Sequence, residues 1–116
     1  MQIFRSQFVC LALIAVFALS SLGQAPQRIE IVASRYTFEP NEISLKKGVP
    51  VVLVLRTSDV THGLEIKELG LNVGIPKGKT VEAPLTPNTT GTFQGKCSHF
   101  CGSGHGRMTM TVTVTE

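Results

Sequence analysis

The sequence predicts one small all-β domain, a two-sheet sandwich or Greek-key barrel, behind an N-terminal export segment. Three observations predict it. Short β-branched and apolar runs alternate with Gly, Pro and Asn turn signals. No apolar period of 3.6 residues persists, so no long amphipathic helix is expected. The chain has 116 residues, 42% apolar and 16% charged, which suits one core and leaves no room for a second.

The first element is an address. In residues 1–25, Arg5 precedes an uncharged apolar run, and Ser20, Ser21, Gly23 and Ala25 follow it. That order matches the n-region, h-region and small-residue cleavage site of a secretory signal. The run over 8–22 is shorter than the roughly 18 residues of a comfortable membrane span, although an uncleaved membrane anchor is the competing reading. The expected division is therefore 1–25 as signal or anchor and 26–116 as the working domain. Export places that domain on the periplasmic or extracellular side, where free thiols meet oxidants.

The strands follow in order. Residues 28–33 (RIEIVA) alternate, with Ile29 and Ile31 on one face. Residues 42–45 (EISL) run into a turn at Lys46-Lys47-Gly48. Residues 50–55 (PVVLVL) are continuously apolar, as expected of a central strand buried on both faces. Segments 63–66, 80–83 and 91–96 are weaker candidates, separated by turns at Lys77-Gly78-Lys79 and Pro87-Asn88. Last, Met108, Met110, Val112 and Val114 alternate with threonines, a half-buried edge or surface strand.

Charge excludes one function class. The net charge is +3, no basic block exceeds Lys46-Lys47, and there is no Trp and one Tyr. Neither a phosphate-tracking patch nor a base-stacking platform results, so no nucleic-acid partner is expected. No Ser/His/Asp set and no pair of carboxylates suggests hydrolysis, so this chain alone is not expected to be an enzyme.

The chemistry concentrates in residues 97–108, CSHFCGSGHGRM. This stretch holds Cys97, Cys101, His99, His105 and Met108. The remaining histidine, His62, follows the apolar strand. Loops at one end of a sandwich lie together, so thiols, imidazoles and a thioether can converge. Such soft donors select copper or zinc, and the thioether of Met108 favours copper. Gly102, Gly104 and Gly106 are expected to let the backbone wrap a centre closely. Asp59 is placed to accept a bond from an imidazole N–H and orient it. The competing readings are structural: a Cys97–Cys101 disulfide, a strand-end His62, a loop His105, a core Met108 and an exposed His99.

The pattern C-x-x-x-C-x-x-x-H-x-x-M at Cys97–Met108, preceded by Asp59-Val60-Thr61-His62-Gly63, resembles the dinuclear copper (CuA) site of cytochrome c oxidase subunit II. Tyr36-Thr37-Phe38-Glu39-Pro40, Leu45-Lys46-Lys47-Gly48, residues 72–79 (NVGIPKGK) and Gly91-Thr92-Phe93 agree with that family as well. The resemblance implies a cupredoxin-like fold holding two copper ions. It implies that Cys97 and Cys101 bridge the ions as thiolates and that His62 and His105 bind one each. Met108 is then a weak ligand, and His99 contributes its backbone carbonyl. A one-electron carrier is implied, with a c-type cytochrome as donor and other oxidase subunits as further partners. A mononuclear copper site and a Cu(I)-binding or delivery module are the alternatives. Three features depart from the family. His99 stands where Glu is usual, which leaves its imidazole as an alternative ligand. The Trp through which relatives receive electrons is missing. One short N-terminal segment would not anchor the chain as paired transmembrane helices do.

Overall fold

The computed structural model describes residues 25–116. The export segment expected over 1–25 therefore lies outside the described residues except for Ala25. Nine strands follow: β1 (Gln27–Ser34), β2 (Thr37–Glu39), β3 (Glu42–Lys46), β4 (Val51–Thr57), β5 (His62–Ile66), β6 (Leu71–Ile75), β7 (Val81–Leu85), β8 (Gly91–Lys96) and β9 (Thr109–Thr115). They form a four-stranded sheet, β2-β1-β4-β7, and a five-stranded sheet, β3-β9-β8-β5-β6. β1 runs parallel to β4 and β3 parallel to β9, while the other pairs are antiparallel.

Alternation builds the core. Ile31, Leu53 and Leu55 of one sheet face Leu64, Ile66, Met110 and Val112 of the other, each at most 2% exposed. Full burial of each such side chain is worth about 1.5–3 kcal/mol. The all-β sandwich expected from the sequence is present.

Two strands sit differently from their expectation. β4 is central in its sheet but buries one face only: Val51, Leu53 and Leu55 are in the core, while Val52 and Val54 are half-buried. Its outer face is flanked by the ion pairs Arg28–Glu82, from the neighbouring strands β1 and β7, and Arg56–Glu30, from β4 itself and β1. A continuous apolar run thus reflects β-propensity as well as two-sided burial. β9 shows the expected alternation, yet it lies inside its sheet, between β3 and β8. Edge strands β2 and β6 carried no strand signal, because β2 has three residues and β6 (LNVGI) includes Asn and Gly.

The registers bring one set of connections to a common end. β1 and β4 finish there, β5 starts opposite the end of β6, and β8 ends opposite the start of β9. Residues 35–36, 58–61, 76–80 and 97–108 gather at this end.

Candidate metal centre

His62 opens β5 and is fully buried. Its Nε2 lies 2.8 Å from Asp59 Oδ1. An ionised carboxylate only accepts, so the ring donates from Nε2, and in the neutral ring Nδ1 keeps its lone pair. That nitrogen faces Cys97 Sγ at 3.8 Å. Asp59 also accepts from the backbone N–H groups of Arg35 (2.7 Å) and Val60 (2.6 Å). Burial works against its charged form. The three donors outweigh burial and hold the carboxyl well below the usual carboxylate range. The orienting role expected of Asp59 is what the geometry provides.

Cys97 follows β8, and its backbone N–H donates to the Met108 carbonyl at 3.0 Å, pinning both ends of the loop together. Cys97 and Cys101 are buried and free, with their sulfurs 3.7 Å apart. His62, Cys97 and Cys101 place their donor atoms within 4.8 Å of one another. Cys101 Sγ lies 3.6 Å from His105 Nδ1 and 3.8 Å from Met108 Sδ. The Cys97 thiol donates to the His99 carbonyl at 3.2 Å. Burial pushes the Cys101 thiol up to about 11, reinforced by neighbouring Cys97. Without a metal this thiol keeps its proton near neutrality, and a binding cation displaces it.

The imidazole of His99 does not join this cluster. It is exposed, and its Nδ1 pairs with the Phe100 carbonyl at 2.9 Å. Thus the thiols, the thioether, two imidazoles and one carbonyl converge, while the third imidazole faces out.

Sequence reasoning missed Arg35 and Tyr36 as supports. The Arg35 backbone N–H binds Asp59, and its Nε donates to the Cys101 carbonyl at 2.9 Å. One residue therefore ties the His62 segment to the cysteine loop. Tyr36 packs under the loop, where a Cβ on Gly104 would lie 2.4 Å from its ring and one on Gly102 2.4 Å from its hydroxyl. The glycines expected to clear space for a centre instead clear space for Tyr36, and Gly106 faces open space. Only the general likeness of residues 36–40 to relatives marked this region in the sequence.

Residues 7–112 match the family model of the cupredoxin-like domain. This chain belongs to that family. Its sequence is similar to cytochrome c oxidase subunit 2 of Thermus thermophilus, 26% identical over 99 residues. The match covers 85% of this cupredoxin and 73% of that protein. A second Thermus thermophilus subunit 2 is similar to the same degree, and the match covers 59% of its length. The fold is that of the periplasmic domain of subunit II of cytochrome oxidase (CoxB) of Bradyrhizobium japonicum. The TM-score is 0.72 at 19% identity, covering 80% of this chain and 86% of that one. Auracyanin A, a blue copper protein of Chloroflexus aurantiacus, shares the fold at TM-score 0.65 and 17% identity, over 78% of this chain and 100% of that one. The fold is thus shared by an oxidase subunit domain and a blue copper protein, and what it holds in a given chain must be read from the donor set. Among the described residues no helix is long and apolar enough to cross a membrane.

Proposed function

We propose that this cupredoxin holds two copper ions in a CuA-like centre and carries single electrons. The carrying observation is the pair of free thiols 3.7 Å apart, with an imidazole nitrogen 3.8 Å from one sulfur and another 3.6 Å from the other. Two thiols, a thioether and two imidazoles suit copper, and the thioether is a poor ligand for zinc. Cys97 and Cys101 would bridge, His62 and His105 would each hold one ion, and Met108 and the His99 carbonyl would complete the set. When bound, the metal pair supplies a one-electron couple shared across both thiolates.

The protein's part is to hold the donors still. Asp59 fixes the tautomer and angle of His62, Arg35 locks the two donor segments together, and the buried Met108 excludes water from below. A rigid donor set keeps reorganisation small, so electrons pass without bond making or breaking. The resemblance to subunit 2 supports a c-type cytochrome as donor and other oxidase subunits as partners. Export of residues 26–116 to the periplasmic or extracellular side, with 1–25 as signal or anchor, accords with the periplasmic relative.

Copper content with optical and EPR spectra of the purified protein tests this reading. Two ions per chain and hyperfine coupling from one electron shared by two copper nuclei are expected. One ion per chain, coupled to a single nucleus, would replace it with a mononuclear site. Two ions that stay EPR-silent under oxidants would replace it with a Cu(I)-binding module.

A further inference from the structure

We propose that the metal-loop end is a docking face for a redox protein presenting an apolar patch ringed by carboxylates. The proposal rests on the electron-carrier reading for the kind of partner, but the surface stands on its own observations.

Phe100 is the apolar centre. It is 74% exposed, against 45% for Val49, the other exposed large hydrophobic among the described residues. Its ring packs at a 52° tilt against His105, with centroids 5.6 Å apart, and His105 Nδ1 lies 3.6 Å from Cys101 Sγ. A partner covering Phe100 is thus one side chain from the metal donors. Beside Phe100 lies an open cleft of about 240 Å³, walled by Arg35, Thr61 and His99.

The rim is cationic. The connections at this end carry Arg35, Lys77, Lys79 and Arg107, all exposed, and one acid, Asp59. Asp59 turns inward, where both of its oxygens serve His62 and backbone N–H groups. Lys77 reaches the cleft rim through its backbone N–H, which donates to Thr61 Oγ1 at 3.1 Å. Arg107 lies over the Tyr36 ring at 5.8 Å. None of these four cations is in an ion pair among the described residues, whereas Arg28 and Arg56 on the strands are paired with Glu82 and Glu30. At the opposite end the connections hold Lys47 and Lys67 against Glu68 and Glu116, with no excess of either sign. The end that carries exposed Phe100 beside the metal donors is thus the end whose connections carry the excess of positive charge among the described residues. Such a field attracts and orients an acidic face and repels a basic one, while the apolar centre provides desolvated contact.

The test uses the full chain, with and without copper, against an acidic and a basic c-type cytochrome of similar size. Binding to the metal-free protein is followed by NMR titration across a salt series. The acidic cytochrome should bind, with shifts at Phe100, Lys77 and Arg107, and added salt should weaken it. The double variant K77E/K79E, in an exposed turn, should weaken that binding about tenfold and slow cytochrome oxidation by the copper-loaded protein similarly at low salt. In that reaction one electron leaves the ferrous cytochrome for the oxidised copper pair, and no bond or proton moves. Preference for the basic cytochrome, or no salt dependence and no effect of K77E/K79E, would overturn the proposal. Acid-selective binding without a two-copper spectrum would support the surface and defeat the electron-carrier reading instead.

Discussion

The two ends of this sandwich are made by the same strands, but only the metal-loop end adds a set of side-chain tethers between segments far apart in the sequence to its backbone bonds. At the far end, backbone bonds close the connections: Gly48 N–H to the Pro87 carbonyl, and Lys47 N–H to the Thr115 carbonyl. Pro87 is buried there, Val49 is 45% exposed, and no cluster of metal donors forms among the described residues. At the metal-loop end, backbone bonds such as Cys97 N–H to the Met108 carbonyl and Ser98 N–H to the Gly63 carbonyl are joined by side-chain tethers. Arg35 and Asp59 bind backbone groups of neighbouring connections, and Tyr36 props the cysteine loop from below. Backbone closure tolerates most side chains, whereas side-chain tethering makes geometry depend on particular residues. The lesson is that a site end can be disturbed without unfolding the sandwich beneath it.

The largest expected effect breaks the metal end outright. Cys97→Ser should reduce copper from two ions per chain to one at most and abolish the shared spectrum. A serine hydroxyl is a hard, weakly acidic donor that cannot replace a bridging thiolate. Metal analysis beside thermal unfolding of the apo protein checks both halves. A variant retaining colour and two ions would dissolve the contrast between the ends.

Asp59→Asn should come next. Losing the charge leaves His62 at most a neutral amide as its orienting partner, and copper affinity should fall about 10–100-fold in chelator competition. Its stabilising contribution has a definite pH dependence. The folded carboxyl lies below its unfolded value of about 3.9, so the contribution is complete above that pH and fades as pH falls towards the folded value. Apo-protein stabilities of parent and variant should therefore differ at neutral pH and converge under acid. A gap that widens below pH 4 would contradict the assigned contacts.

Gly104→Ala and Gly106→Ala sharpen the comparison within the loop itself. The first forces the Tyr36 ring aside, and the second meets nothing. Destabilisation of about 1–3 kcal/mol is expected for Gly104→Ala, as for other overpacked sites, and little change for Gly106→Ala. Equal effects in denaturant unfolding would refute the role given to Tyr36.

The smallest effects belong to exposed side chains at each end. His99→Ala should leave copper stoichiometry and spectrum nearly intact, because the carbonyl rather than the ring faces Cys97. Val49→Ser at the far end should change stability by less than about 0.5 kcal/mol. A recoloured centre in His99→Ala would make that imidazole a ligand.

Local chemistry made much of this legible. Period-two alternation in 109–115 announced β9, and β-branched runs announced β1 and β4, because a strand's two faces are written directly into neighbouring residues. The spacing of Cys97, Cys101, His105 and Met108 announced the donor loop for a similar reason: those donors share one short stretch. The resemblance carried His62 to the same centre, and the fold brings it there. Other features were not local. The position of β9 inside its sheet and the solvent face of β4 depend on which strands pair, which sequence alternation does not state. The outward turn of the His99 ring depends on a loop path closed by Met108. Arg35 and Tyr36 gain their roles only because β1 ends beside a loop more than 60 residues later. Such contacts are set by long-range packing, so the amino-acid sequence by itself determined the sandwich and the donor set, and the tertiary structure alone decided what holds the donors in place.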